Sequence, residues 1–362
     1  MTKVVHNTAH LNAVSTAVPA HDIHDAYLSL VAGRMDRRDA LVFKRMARRS
    51  GIERRYSIFS VADDLSQAVD SEGFYRPGAF PGTAERMARY ALHAPGLAMA
   101  AIGGLAFDPG SVTHLVVASC TGFTAPGLDQ HIVALAGLKH NVERTVVGFM
   151  GCYAAVTALR LAHHIVRSEP TARVLVVNVE LCSLHFQETA DLQRNLSSML
   201  FADGAAAGLV SADPSGAALH DFRSAALAGS EDMITWKIGD QGFDMHLSGD
   251  VPQRIEAAMR AEAARNDDGG LLRGARPEDI ALWAIHGGGR TILDAVENGL
   301  GLGPNAMDVS RSVLRDFGNM SSATLMFVLA RMLADAGAAG ARGVGFAFGP
   351  GLAAESFRFT RL

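Results

Sequence analysis

Three residues of this 362-residue chain combine into a recognisable chemistry: Cys152 in VVGFMGCYAAVTALRLA, His286 in WAIHGGG and Asn319 in GNMSSATLMFVLAR. After Cys152, Ala155, Leu159 and Ala162 recur at helical spacing with Val156 beside them, so the thiol sits where an apolar strand or turn becomes the first turn of a helix. A helix N-terminus carries partial positive charge and lowers a thiol's pKa. An imidazole that takes the proton lowers it further, giving a thiolate–imidazolium pair able to attack an acyl thioester. Asn319 and His286 can donate hydrogen bonds to the thioester carbonyl oxygen, an oxyanion hole worth on the order of 3–4 kcal/mol per donor. The same donors would stabilise the enolate left when a malonyl thioester loses carbon dioxide. Singly, each residue has a plainer reading: Cys152 as a small core hydrophobe, His286 as a satisfied core histidine, Asn319 as a helix cap. The chemistry requires that they converge.

Convergence is a demand on the elements. HLVVASC (114–120), RVLVVNVELC (173–182), AAAGLVS (205–211), DIALWAIHGGG (279–289) and GVGFAFGPG (343–351) read as buried strands. Amphipathic helices separate them, which indicates an α/β protein whose sheet is covered on both faces. SEGFYRPGAFPG (71–82) reads as a loop. Spacing adds a repeat: Cys120 ends one strand and Cys152 opens a helix 32 residues on, while His286 follows a strand and Asn319 opens a helix 33 residues on. The chain therefore reads as two diverged copies, 1–214 carrying the cysteine and 215–362 carrying the histidine and asparagine. Packed with pseudo-twofold symmetry, they bring both helix starts face to face across a crevice, a favoured ligand site.

The bulk numbers exclude other classes. A net charge of −4 argues against nucleic acid or an anionic membrane as the main partner. No apolar run approaches the ~18–20 residues needed to cross a bilayer, and the N-terminus does not resemble a signal peptide. Cys120, Cys152 and Cys182 are odd in number and widely spaced, fitting neither a disulfide framework nor paired zinc ligands. No metal is expected, and the compartment is expected to be the cytoplasm.

GCYAAVTALRLA, WAIHGGGRTILDAVENGL, DFGNMSSATLMFVL and FGPGLAAES, in this order, resemble the chalcone synthase-like type III polyketide synthases, in their bacterial branch. The resemblance implies a thiolase fold of αβαβα layers and a homodimer. It implies coenzyme A thioesters as substrates, with no separate cofactor: an acyl-CoA starter is loaded on Cys152, extended with malonyl-CoA, and cyclised. Cys152 is then the nucleophile, and His286 and Asn319 the decarboxylation and oxyanion pair. Phe201 resembles the aromatic gate to the cavity, Met245 falls at the second gate, and Arg45 and Arg49 in FKRMARRSGIERR fall where the family grips the phosphates of coenzyme A.

Departures from the plant pattern bear on substrate. Cys120 and Cys182 stand where plant enzymes carry cavity threonines, His185 where a small cavity residue is usual, and Trp236 where plants have glycine. Ala125 stands where many members insert a Met into the partner subunit's cavity, while Gly287 and Ala347 replace a usual Pro and Gly, loosening the backbone without removing a functional group. ELCSLHFQ resembles bacterial members that take fatty acyl-CoA starters and release alkylpyrones or alkylresorcinols. The alternatives are a malonyl-CoA-only tetrahydroxynaphthalene-type synthase, an initiating β-ketoacyl carrier-protein synthase, and a silent thiolase-fold scaffold.

Overall fold

The computed structural model describes residues 7–335, 337 and 339–362. In chain order the first half runs β1 (Ala9–Ala17), β2 (His21–Asp22), α1 (His24–Gly33), α2 (Arg37–Ser50), β3 (Tyr56–Ser57) and α3 (Thr83–Ile102). It continues through β4 (His114–Ser119), α4 (Leu128–Leu135), β5 (Glu143–Gly148), α5 (Ala154–Ser168), β6 (Val174–Leu181), α6 (Leu192–Ser198) and β7 (Asp203–Ser211). The second half begins with β8 (Ala217–Ala226), the hairpin β9 (Ile234–Gly239) and β10 (Gly242–Leu247), and α7 (Val251–Ala263). It ends with β11 (Leu282–Ile285), α8 (Arg290–Leu300), α9 (Asp308–Phe317), α10 (Ala323–Ala334), β12 (Arg342–Gly349) and β13 (Ala353–Arg361).

Nine strands form one sheet in the order β11-β12-β13-β8-β1-β7-β6-β4-β5. Outward from the central β1–β8 seam, both sides follow the same course: first strand of the half, last strand, then the two between. Strand β5 alone has no counterpart among the described residues.

Period-two alternation sets the layers. Val116, Ala118, Val174 and Val176 face a central core shared with α5 and α10, whereas Leu115, Val117, Leu175 and Val177 face an outer core with α3 and α4. In the second half, Trp283, Ile285, Val344 and Phe346 face a third core with α7 and α8. The result is five layers, α-β-α-β-α, as the resemblance implies, with α5 and α10 sandwiched in the middle. Those are the helices that follow Cys152 and Asn319.

All five expected strands form; four lose residues at an end, whereas β7 begins two residues earlier, at Asp203. DIALWAIHGGG pairs only over Leu282–Ile285, because Gly287–Gly289 turns into α8; GVGFAFGPG stops at Gly349, before a proline that has no N–H to give. The stretch before Cys152, read as an apolar strand or turn, holds the end of β5; five further sheet and hairpin strands, β1, β8, β9, β10 and β13, carried too little apolar continuity to be read.

Candidate active site

Cys152 lies in a single 3-10 turn, Gly151–Tyr153, between β5 and α5. Gly151 has φ +77°, and a Cβ there would come within 2.3 Å of Pro350, so the residue before the thiol must be glycine for the turn to press against the end of β12. Across the crevice, residues 319–322 make the turn that enters α10. The Cys152 and Ser321 side chains meet at the join, Sγ to Oγ 3.7 Å. The Ser321 N–H donates to Asn319 Oδ1 at 2.9 Å, and Asn319 Nδ2 donates to the Gly288 carbonyl at 3.3 Å. That pair of bonds fixes which end of the amide is the donor and leaves one Nδ2 hydrogen uncommitted.

His286, 1% exposed, has no hydrogen-bond partner on either ring nitrogen among the described residues. Its position is set from the backbone, where its N–H donates to the Phe346 carbonyl at 2.8 Å. With neither nitrogen engaged, both neutral tautomers are open to it. Cys152, His286 and Asn319 line one cavity, so the helix starts do converge.

The electrostatics differ from the expectation of a resting thiolate. Burial pushes the Cys152 thiol up to about 12, against smaller opposing help from Ser321 and Asn319, and the nearby Glu180 carboxyl raises it further. Burial also pulls His286 down to about 4. Both shifts favour a neutral thiol beside a neutral imidazole, because each charge is disfavoured in a dry site and no bond between the two groups offsets that cost. One turn of 3-10 helix does not outweigh the desolvation. Labelling of Cys152 by iodoacetamide without substrate should therefore rise about tenfold per pH unit between about pH 6 and 9. Peptide mass spectrometry across that range checks it; a flat profile would restore the preformed thiolate.

Reasoning from the sequence missed the groups behind the thiol. Glu180 is fully buried and accepts from Cys120 N–H at 3.0 Å, from Thr121 Oγ1 at 2.9 Å and from the Ser322 hydroxyl. Burial raises this carboxyl to about 7. A single carboxylate inside the apolar run RVLVVNVELC was the available signal.

The remaining residues separate into distinct places. Cys120, Cys152 and Cys182 all line the cavity as free thiols; Cys120 packs against the turn, its Sγ accepting from the Gly151 N–H at 2.9 Å. Phe201 pairs as an isolated bridge with Asn319 and is held by Arg55, whose Nη1 donates to the Phe201 carbonyl at 2.9 Å. Met245 and Trp236 line the cavity from the β9–β10 hairpin, where they are register partners. His185 is locked: Nδ1 accepts from the Phe243 N–H at 3.0 Å, so Nε2 is the donor to the Thr121 carbonyl at 2.8 Å. Its ring stacks on Phe243 with centroids 4.1 Å apart and meets Trp236 edge-on, while Trp236 Nε1 donates to the Cys120 carbonyl at 2.9 Å. These three rings form a fixed wall, and Phe243 was absent from the sequence reading. Arg45 and Arg49 are exposed on α2, outside the cavity lining; Arg290 Nη1 reaches the Arg49 carbonyl at 3.4 Å.

Residues 2–214 match the N-terminal domain of chalcone and stilbene synthases, and residues 219–361 match their C-terminal domain. The chain belongs to the chalcone and stilbene synthase family. It is a type III polyketide synthase, an acyltransferase-type enzyme whose family uses coenzyme A thioesters and needs no cofactor. The "Alpha-pyrone synthesis polyketide synthase-like Pks18" of Mycobacterium tuberculosis is 36% identical over 290 residues, 76% of this chain and 72% of that protein. The bisdemethoxycurcumin synthase of Oryza sativa subsp. japonica is 35% identical over 337 residues, 87% and 81% of the two chains. Among solved structures, PKS-I of the brown alga Ectocarpus siliculosus superposes with a TM-score of 0.85 at 27% identity, covering 98% of this chain and 99% of that one. The 1,3,6,8-tetrahydroxynaphthalene synthase of Streptomyces coelicolor A3(2) gives 0.84 at 26%, with the same coverage. These neighbours share the thiolase fold. No helix among the described residues is long and apolar enough to cross a membrane.

Proposed function

We propose that this synthase loads a fatty acyl group from coenzyme A onto Cys152, extends it with malonyl units by decarboxylative Claisen condensation, and closes the product to an alkylpyrone or alkylresorcinol. The supporting observation is the cavity's lining. Beyond the ring wall the cavity extends between α1 and the loop after β3, where Ile23, Ala26, Leu30, Val61, Leu65 and Val69 line it. An alkyl chain gains by leaving water against such a surface, and the packed rings of Trp236, His185 and Phe243 add further apolar lining. The α-pyrone synthesis in the name of the mycobacterial relative agrees with this reading.

In the loading step, Cys152 Sγ attacks the thioester carbonyl as its proton passes to a ring nitrogen of His286. Coenzyme A leaves as a thiolate and regains that proton, which returns the imidazole to neutrality. In the extension step, malonyl-CoA loses carbon dioxide, and the Asn319 amide and His286 N–H hold the enolate oxygen. The enolate carbon then attacks the Cys152 thioester, the bond from the acyl carbon to Sγ breaks, and the extended chain is left as a β-ketoacyl-CoA while Cys152 departs as a thiolate that can take the chain back, releasing coenzyme A, for the next round. One imidazole can serve both as acceptor and as donor because no fixed partner dictates its tautomer. Phe201 and Met245 gate the route, Cys120, Cys182, His185 and Trp236 shape the cavity, and Arg45 and Arg49 meet the phosphates of coenzyme A.

The same reading makes the enzyme a cytoplasmic homodimer of chains divided near residue 214. Support for the dimer comes from β5, an edge strand whose Val146 is 51% exposed, beside Phe123 at 41%. An unpaired edge strand of this kind, with two large apolar side chains exposed near it, is a template for a second copy.

A panel of octanoyl-, palmitoyl-, coumaroyl- and malonyl-CoA starters, each with labelled malonyl-CoA, tests the proposal. Long-chain products from the first two are the expected result. Turnover of malonyl-CoA alone would sink the fatty starter and favour tetrahydroxynaphthalene formation, the product named for the Streptomyces neighbour. Carbon dioxide release in either case would eliminate a silent scaffold.

A further inference from the structure

Among the described residues nine large apolar side chains are exposed, and three of them, Leu41, Val42 and Met46, lie on α2. The same fourteen-residue helix carries Arg37, Arg38, Lys44, Arg45, Arg48 and Arg49, all exposed, against one acidic residue, Asp39. None of the six cations is ion-paired among the described residues. The helix is firmly built: Asp36 caps its start by accepting from the Asp39 N–H at 2.9 Å, Gly51 ends it in the left-handed conformation, and Phe43 and Ala47 anchor its inner face against Tyr27, Val31 and Met199. Tyr27 also lines the active-site cavity, so one layer of side chains separates this outer face from the acyl branch.

We propose that the outer face of α2 docks on an anionic lipid surface, with Leu41, Val42 and Met46 entering the headgroup boundary and Arg37, Arg38, Lys44 and Arg48, the cations not assigned to coenzyme A, meeting lipid phosphate. A rigid helix with apolar groups set among arginines and lysines fits that partner, because long cationic side chains can lie along the interface while the apolar ones descend. Charge complementarity selects an anionic surface. Shape selects lipid over an acidic protein: the face is a convex helix without an exposed aromatic residue or a groove, the features that anchor protein partners. The chain's net charge of −4 does not oppose this, since attraction at a surface falls off within a Debye length and is decided by the local patch. The inference rests on α2 alone and stands whether or not the starter is a fatty acyl group.

Sedimentation of the full-length protein with phosphatidylcholine vesicles, and with vesicles containing about one-third phosphatidylglycerol, tests it. Binding is expected only to the anionic vesicles and should be lost at about 0.5 M salt. The Arg38→Glu/Arg48→Glu variant should reduce partitioning at least about 25-fold, and Leu41→Asp should also weaken it. Both variants should keep wild-type turnover of octanoyl-CoA, because none of the three residues belongs to the catalytic cavity or to the pair assigned to coenzyme A. Equal binding to both vesicle types, wild-type partitioning by the charge-reversed variant, or association only with an acidic carrier protein would each overturn the proposal.

Discussion

Cys152→Ala should abolish covalent loading: after brief incubation with palmitoyl-CoA, intact-protein mass spectrometry should find the acyl increment on the wild type and none on the variant. Product formation should fall at least about 10⁴-fold, the scale seen when a nucleophile that works as part of a unit is removed. Neither other cysteine is placed to substitute. Cys120 is spent on the Gly151 N–H, and burial holds its thiol well above the ordinary range. Cys182 reaches the cavity, but burial raises it likewise, with Glu180 and Asp203 adding to the effect. The variant should still decarboxylate malonyl-CoA, because His286 and Asn319 remain. That separates loss of the nucleophile from collapse of the site. An adduct that survives on the variant would move the nucleophile to Cys182.

The second large effect concerns the oxyanion pair. His286→Ala and Asn319→Ala should each slow carbon dioxide release from malonyl-CoA about 10²–10³-fold, the cost of one preorganised donor in a dry site. Their combined loss should be smaller than the product of the two, since both donors serve one oxygen. The pH dependence is a sharper check. Because burial lowers His286 to about 4, its neutral form persists from the alkaline side down to about that pH, and imidazolium appears only below it. Single-turnover decarboxylation should therefore show no inflection near pH 6.5. An inflection there would mean that the imidazole titrates as if exposed and that its burial does not govern the chemistry.

What could be read from the sequence follows from what burial does to composition. β4, β6 and β12 are covered on both faces, so their runs of valine, leucine and phenylalanine are continuous and unmistakable. β1 is just as central, but AHLNAVSTA breaks its apolar run with Asn12, Ser15 and Thr16, and its register shifts between Leu11 and Ala13. A repeat suggested itself because Cys152 and Asn319 open helices at nearly equal distances from the strands before them. The order of the sheet did not, since hydrogen-bonding partners leave no mark in spacing.

At the site, residue types and helix context brought the reading to Cys152, His286 and Asn319. The protonation state escaped it, because desolvation is a property of the closed cavity and outweighs the local pull of one helical turn. His185 and Trp236, expected to shape the cavity, both line it. Their third partner, Phe243, could be recognised only once the β9–β10 hairpin had folded back onto the turn after β6.

The seam at β1 also bears on how the molecule comes to exist. Its first strand is hydrogen-bonded on one side to β7, where His10 faces Ser211, and on the other to β8, where His10 faces Ala218. Both partners lie roughly two hundred residues downstream, near the limit of non-local pairing. During synthesis, at about 5–20 residues per second, β1 leaves the ribosome first and must wait for β7 and β8 to appear before either edge is satisfied. For that interval it is a strand with both edges unpaired. An element made before both of its partners is thus among the last to be locked in place, and its docking joins the two halves in one sheet.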